Sequence, residues 1–153
     1  MLTPIKWLQE YTDINVDVQE FCDRLILSGS NLETVDYYNK DIENVVIGKV
    51  LKVEQHPNAD KLTICLVDVG GKEALQICTG APNIVPGMKD FFVPVAVDGA
   101  RVPGPLHGKP KVAGGEIIHA GELRGVPSMG MLCNCSELGF ADKIVPYRDK
   151  DGI

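Results

Sequence analysis

The chain has 153 residues, 44% of them hydrophobic and 24% charged, with five cysteines and a formal net charge of −6 at pH 7. This composition is typical of one globular domain, or of one domain with a small appendage. It contains no apolar run near the ~20 residues that span a bilayer, no secretory signal pattern and no even set of cysteines for a disulfide framework, so we expect a cytoplasmic protein.

The negative charge is unevenly distributed. Residues 1–44 carry three Lys/Arg against nine Asp/Glu, whereas residues 45–153 carry twelve of each. The larger part of the chain is therefore not repelled as a body from phosphate, although it is not strongly basic either. This balance predicts weak, salt-sensitive binding if nucleic acid is the partner.

The first residues predict two short helices. Thr3 can cap the first helix, and Pro4 suits its first turn. Asp17 can cap the second, with Glu20 three positions later as in a capping box. Gly29 then lies where a left-handed C-terminal cap is expected.

A strand is predicted next, over Leu32 to Tyr38. The acidic stretch from Asn39 to Asn44 follows it and is the expected boundary between two parts of the chain. We therefore divide the sequence into an α+β segment over residues 1–40 and an all-β domain over residues 41–153.

The all-β part shows strand-like apolar runs separated by Gly, Pro, Asn and Asp. The first run has apolar residues on both parities and Gly48 in its middle, which predicts a long strand that bends to serve two sides of a small barrel. The predicted strands are Val45–Glu54, Leu62–Val69, Ala74–Thr79, Phe91–Val97, Glu116–Leu123 and Val126–Leu132. We expect residues 45–146 to form a closed or nearly closed five-stranded barrel.

Three further expectations concern the connections and the side chains around this barrel. Gly70-Gly71-Lys72 predicts a hairpin turn, and Ser136 to Leu138 a helical turn. Asp98–Gly115, rich in glycine and proline, predicts a long surface loop. Phe91, Phe92 and Phe140 are expected in the core, and Cys65 and Cys78 as small buried hydrophobes.

No active site or metal site is suggested by the sequence. It shows no P-loop lysine pattern and no local Ser-His-Asp or Cys-His motif. Cys133-Asn134-Cys135 lacks the two-to-four-residue spacing and the second ligand pair of a structural zinc site. We predict free thiols, no metal ligands and no catalytic residues.

Three blocks of sequence identify a family resemblance. They are VxGKVLxVEQHPNADKL from Val46, CTGAPNIVPG at Cys78–Gly87 and LRGVPSMGMLC at Leu123–Cys133. In this order they resemble the tRNA-binding OB-fold module, which occurs free-standing and in several tRNA synthetases. The opening residues, MLTPIKWLQEYTDINVDVQEFCDRLILSGSNLETVD, resemble the start of the β subunit of bacterial phenylalanyl-tRNA synthetases, whose pattern continues beyond residue 153.

The resemblance implies an α+β fold, a five-stranded OB barrel after a small helical and strand segment, and tRNA as partner. It also implies an α subunit in a heterotetramer of two α and two β subunits, with ATP and Mg²⁺ used by the whole enzyme and no cofactor in this fragment. Catalysis would lie on the α subunit and editing farther along the β subunit. Two alternatives remain: a structural brace of the assembly without tRNA contact, or a free-standing tRNA-binding chaperone.

The nucleic-acid-binding candidates come from these blocks and from the first two strands. Arg and Lys would meet phosphate, whereas Asn and Ser could meet sugar or base edges. Five of the candidates also have a plainer interpretation: solvated charge for Lys49 and Lys52, turn stabilisation for Asn58, a bond to its own loop for Ser128, and core packing for Met129. The full set is Lys49, Lys52, His56, Asn58, Lys61, Asn83, Arg124, Ser128 and Met129.

Overall fold

The structure is a computed structural model that describes residues 3–37, 41–104, 106, 114–140 and 153, and every structural statement below concerns these residues. The chain divides into two compact units, residues 1–37 and residues 38–153. No helix in the described ranges is long and apolar enough to cross a membrane.

The first unit contains two helices, α1 (Ile5–Gln9) and α2 (Val18–Leu27). The predicted cap of α2 is confirmed, because the Asp17 carboxylate accepts a hydrogen bond of 3.0 Å from the Glu20 amide. The predicted C-terminal cap is confirmed as well. Gly29 has a φ of 92°, and the Ser30 N–H donates back to the Leu25 carbonyl at 3.1 Å. These bonds satisfy helix-end groups that would otherwise lack partners.

Two predictions for this unit are wrong. Pro4, not Thr3, is the N-cap of α1, and no side chain caps that helix. The strand predicted from Leu32 is absent over residues 32–37, and Tyr38 lies outside the described residues. Residues 33–37 are exposed, and no described strand pairs with them, so their β propensity has neither a ladder nor a covered face to support it.

The second unit is an antiparallel sheet coiled into a nearly closed barrel. Its main path runs β3-β2-β1-β4-β5, β8 also pairs with β4, and β6 and β7 form a separate hairpin. The strands are β1 (Glu43–Gln55), β2 (Thr63–Asp68), β3 (Leu75–Thr79), β4 (Phe91–Val102), β5 (Glu116–Ile117), β6 (Gly121–Leu123), β7 (Val126–Ser128) and β8 (Gly130–Leu132). The predicted α+β class with a five-stranded OB-like barrel is confirmed.

The long first strand serves two sides of the barrel, as predicted. Residues 45–50 of β1 pair with β4, and residues 49–55 pair with β2. A Cβ atom on Gly48 would lie only 2.6 Å from a methyl of Val67 and 2.7 Å from a methyl of Val95. Gly48 is therefore required because the barrel interior leaves no room for a side chain there.

The free edge of β3 approaches the β7–β8 segment, which nearly closes the barrel. The Met129 N–H donates to the Gln76 carbonyl at 2.8 Å, and the Gln76 side chain donates to the Pro127 carbonyl at 2.8 Å. The Cys78 N–H donates to the Ser128 hydroxyl at 3.0 Å. Together with the one backbone bond, these side chains replace part of the missing backbone ladder along this edge.

The core consists of aliphatic residues from the inward faces of the strands, among them Val50, Val67, Ile77 and Val95. Cys65 and Cys78 are buried among them, as predicted. Phe91 and Phe140 pack partly buried against the core. The prediction for Phe92 is wrong, because it is 69% exposed. Strand residues alternate between faces, so Phe92 points outward where Phe91 points inward.

The predicted loop at Asp98–Gly115 is partly wrong. Strand β4 continues to Val102, and Arg101 and Val102 pair with β5. Ala100, Val102 and Leu106 are buried in a second cluster with Cys133 and Leu138, so part of this segment does belong to the core. Residues 105 and 107–113 lie outside the described residues.

Three local details complete the comparison with the predicted elements. The predicted strands at Glu116–Leu123 and Val126–Leu132 are each two shorter strands. The hairpin turn at Gly70 is present between β2 and β3, with a φ of 79° at Gly70. Residues 135–139 form turns, in which the Leu138 N–H donates to the Asn134 carbonyl at 3.2 Å.

Candidate nucleic-acid interface

The Gln55 side chain stabilises the turn between β1 and β2 by hydrogen bonds to the backbone of the turn. Its Nε2 donates to the carbonyls of Ala59, Asp60 and Leu62 at 3.1, 3.3 and 3.2 Å. The His56 N–H donates to the same Leu62 carbonyl at 3.2 Å. The turn thus has a defined shape that can present its exposed side chains at fixed positions.

His56 is buried at 2% exposure and is hydrogen-bonded through both ring nitrogens. The Asn58 N–H donates to Nδ1 at 3.1 Å, so Nδ1 is the acceptor of the ring. Nε2 lies 2.9 Å from the Leu123 carbonyl and must therefore donate to it. This pairing fixes the neutral tautomer with its proton on Nε2.

Leu123 ends β6, the first strand of the β6–β7 hairpin. Asn58 makes a second hydrogen bond to this hairpin. Its side-chain Nδ2 donates to the Arg124 carbonyl at 3.0 Å. Arg124 and Gly125 form the two-residue turn of the β6–β7 hairpin, with φ values of 52° and 83° as a type I′ turn requires. We call His56 and Asn58, with their bonds to Leu123 and Arg124, the His56–Asn58 clamp. It joins two turns and fixes the end of the barrel that carries Lys61 and Arg124.

The cations of the predicted site fall into two groups. Lys49 forms an ion pair with Asp90 at 2.8 Å, and Lys52 forms one with Glu54 at 2.8 Å. The hydrogen bond from Lys49 lowers the pKa of the exposed Asp90 carboxyl below its ordinary value. Lys61 and Arg124 are exposed, and neither has an acidic partner within 4.0 Å among the described residues.

The remaining predicted residues differ in how far their polar groups are already used. Ser128 is buried, and its hydroxyl donates to the Gly130 carbonyl at 3.1 Å as well as accepting from β3. The Asn83 amide pairs with the backbone of Ile153, at 2.7 Å to its carbonyl and 3.0 Å from its N–H. The plainer interpretation of Met129 as core is wrong, because the residue is 43% exposed.

The nine predicted residues therefore divide by their geometry. His56, Asn58, Asn83 and Ser128 form hydrogen bonds within the protein. Lys52, Lys61, Arg124 and Met129 are exposed, whereas Lys49 is half-buried beside its partner Asp90. The clamp brings His56, Asn58 and Arg124 together at one end of the barrel. Their roles toward nucleic acid stay predictions.

The sequence reasoning did not single out Gln55 or Gln76, although each holds a neighbouring segment in place. Gln55 lies inside the first sequence block, directly before His56, and this position could have indicated a role in the site. Nothing comparable distinguishes Gln76. Across the described residues, no group of three or more His, Cys, Asp or Glu side chains is placed to hold a metal ion.

Comparison with known proteins gives two kinds of match. A family model described as a putative tRNA binding domain matches residues 45–151. The phenylalanine–tRNA ligase beta subunit of Clostridium acetobutylicum is 46% identical over 143 residues, covering 94% of this chain and 16% of that protein. The beta subunit of Bacillus cereus is 44% identical over 154 residues, covering 100% of this chain and 18% of that protein.

The chain thus spans about one sixth of the length of these relatives. Among solved structures, the C-terminal domain of Plasmodium vivax p43 aligns with a TM-score of 0.43 at 23% identity, over 64% of this chain and 48% of that chain.

Proposed function

The chain belongs to the family of putative tRNA binding domains, and on that premise we propose that it binds tRNA as a non-catalytic module of a phenylalanine–tRNA ligase beta subunit. The observation that carries the proposal is the clamped end of the barrel. There Lys61 and Arg124 are exposed on two turns that His56 and Asn58 join, and no described carboxylate pairs with either cation.

Phosphate contact is the binding mode that this end supports best. Two cations at fixed positions can each approach a phosphate oxygen without first breaking an internal ion pair. Lys49 and Lys52 contribute less, since each must leave a carboxylate at 2.8 Å. With two or three phosphates engaged, log K should fall with log salt with a slope of about −2 to −3.

The module recognises the shape and backbone of folded tRNA more than its base sequence. Sequence-specific readers of single-stranded RNA stack bases on aromatic side chains. In the described part of the second unit, Phe92 is the exposed phenylalanine, and it lies on β4 opposite Lys49, not on the clamped turns. The clamped end instead offers cations, the exposed Met129 and backbone groups.

In the whole enzyme, this module would assist the ATP- and Mg²⁺-dependent charging of tRNA(Phe) with phenylalanine, together with an α subunit, in the cytoplasm. The described residues include no cluster of His, Cys, Asp or Glu placed to hold a metal ion, and we assign no chemical step to them. What this chain supplies is the positioning of tRNA by Lys61 and Arg124.

Bracing of the assembly is a second candidate function, and one observation favours it. Ile47 and Phe92 are 66% and 69% exposed on the outward face of β1 and β4, where Ile47 pairs with Pro94. Large apolar side chains next to one another on a surface often mark contact with another protein segment. The free-standing chaperone is supported less, because the similarity to ligase beta subunits extends through the first unit as well.

The test measures tRNA affinity of the 153-residue chain at several salt concentrations. Lys61→Ala and Arg124→Ala should each weaken binding and reduce the salt slope by about one. Lys72→Ala is the matched control, since Lys72 is an exposed lysine beside the β2–β3 turn at the opposite end of β2. Equal affinity and slope in all four proteins would reject tRNA binding at this end.

A further inference from the structure

The loop that follows β3 is fixed to the barrel on both sides of Asn83. The Ile84 N–H donates to the Ala81 carbonyl at 3.2 Å, which closes a turn around Asn83. Ile84 itself is buried in the core, and the Gly87 N–H donates to the Val53 carbonyl of β1 at 2.9 Å. Asn83 therefore projects from a backbone that is held in place before and after it.

The Asn83 side chain pairs with the backbone of a residue 70 positions away. Its Nδ2 donates to the Ile153 carbonyl at 2.7 Å, and its Oδ1 accepts from the Ile153 N–H at 3.0 Å. One amide group thus meets both backbone polar groups of one residue. A residue of a neighbouring strand does the same in a hydrogen-bonded pair of an antiparallel sheet.

The Ile153 side chain adds an apolar contact to this pairing. It is partly buried and packs against the core cluster that contains Val53 and Ile84. Ile153 is therefore held in two ways, through its backbone by Asn83 and through its side chain by the barrel core. An exposed loop or a freely mobile segment would have neither contact.

The groove beside Ile153 does not favour phosphate. It has a volume of about 610 Å³, and Ile153 forms part of its lining. A groove lined by one sign of charge repels ligands of the same sign. The ionisable side chains of the described lining residues are three carboxylates and one imidazole, with no lysine or arginine: Glu116, Glu122, Glu137 and His119. This side of the barrel is thus less suited to tRNA than the clamped end.

We propose that Asn83 anchors Ile153 to the barrel, fixes the place at which the polypeptide leaves it, and does not contact RNA. The consequence for a following segment rests on the proposed function, since the ligase beta subunits that this chain resembles are about six times longer. In such a protein, Lys61, Arg124 and the exit of the chain are all fixed to one barrel. The tRNA-binding end then keeps one orientation relative to the start of the next segment, which a flexible linker would not provide.

The experiment measures backbone ¹⁵N relaxation and amide hydrogen exchange of Ile153 in the 153-residue chain. End residues are poorly ordered unless they are tied down. With the anchor, Ile153 should have an order parameter of about 0.85, like a rigid backbone, and in Asn83→Ala it should fall below about 0.6. The Ile153 N–H should exchange at least about 10-fold faster in that variant, the effect of a lost hydrogen bond. The tRNA affinity should stay unchanged.

A second variant and a matched control make the result specific. Asn83→Asp keeps the size of the side chain but replaces the donor by an oxygen that faces the Ile153 carbonyl, so it should also release Ile153. Asn58→Ala removes the other asparagine side chain that bonds to a distant backbone carbonyl. It should weaken tRNA binding and leave the order parameter and the exchange rate of Ile153 unchanged.

The outcomes separate this proposal from the proposed function. An Ile153 that is mobile in the unsubstituted chain, or that stays ordered in both Asn83 variants, would overturn the anchor. A loss of tRNA affinity of about 5-fold or more in Asn83→Ala, the effect of a lost hydrogen bond to the ligand, would make Asn83 an RNA contact and would also overturn it. If Ile153 is released as expected but the unsubstituted chain does not bind tRNA, the anchor stands and the proposed function fails.

Discussion

Asn58→Ala tests whether this residue positions the interface or contacts tRNA directly. The structure gives Asn58 one side-chain hydrogen bond, from Nδ2 to the Arg124 carbonyl at 3.0 Å, across 66 residues of sequence. The Nδ1 contact of His56 uses the Asn58 backbone N–H and survives the substitution. The change therefore removes one net hydrogen bond between the two turns, which should cost about 0.5–1.5 kcal/mol of unfolding free energy.

The tRNA affinity should fall together with the stability. Without this bond, the Arg124 turn is held to the β1–β2 turn by His56 alone, so Arg124 is less well positioned for phosphate. Urea unfolding and a tRNA titration at low salt measure the two effects. Gly125→Ala is a matched perturbation of the same turn, because Gly125 has a φ of 83° and a Cβ there would lie 3.6 Å from the Asn58 amide nitrogen. It should lower stability by about 1 kcal/mol and weaken tRNA binding similarly.

The result that would refute this reasoning is a loss of tRNA affinity in Asn58→Ala with no loss of stability. Asn58 would then be a direct contact to tRNA, as the sequence predicts, and the bond to the hairpin would be incidental. A loss of stability without any loss of affinity would show that the Arg124 turn does not need to be held for binding.

The remaining predictions concern charge, packing, ionisation and catalysis. Lys52→Ala should reduce the salt slope of tRNA binding by less than Lys61→Ala does, because Lys52 is already paired with Glu54; an equal or larger effect would contradict this. Gly48→Ala should lower the free energy of unfolding by about 1–3 kcal/mol through overpacking, as measured by urea unfolding. Gly71→Ala is the control and should change stability little, because a Cβ there would meet nothing closer than 3.7 Å. Burial raises the pKa of Cys65 to about 11 and that of Cys133 to about 12. The unfolded thiols ionise from about pH 9 while the folded ones keep their protons, so stability should fall between pH 9 and 11 by up to about 1.4 kcal/mol per pH unit for each thiol; a flat profile in that range would refute the burial argument. The chain alone should show no ATP–pyrophosphate exchange with phenylalanine, and measurable exchange by the pure protein would overturn its assignment as non-catalytic.

The barrel could be predicted because its sequence signals are local and agree with one another. Alternating or continuous apolar runs, bounded by turn residues, located the main strands, and Gly48 lies where the barrel interior leaves no room for a side chain. The missed features depend on partners that are distant in sequence. Ala100 and Val102 belong to the core only because β5 and β8 lie against β4.

The strand predicted from Leu32 fails for the opposite reason. Its residues have suitable propensity, but no described strand pairs with residues 32–37. Phe92 is a related case. A large apolar residue is expected to be buried, but the register of β1 and β4 places Phe92 on the outer face, opposite Lys49. In each case the outcome depends on which strands pair with each other, and a single sequence does not contain that information.

In the candidate site, the family sequence block does not distinguish residues that contact a ligand from residues that hold the site together. The block around His56 and Asn58 predicts residues that contact tRNA, yet both side chains bond to the β6–β7 hairpin. The residues that hold an interface can thus be as characteristic of a family as those that touch the ligand. At the clamped end, the exposed cations among the predicted residues are Lys61 and Arg124. Two such cations can steer and orient a folded RNA, but they supply too few phosphate contacts for tight binding at physiological salt.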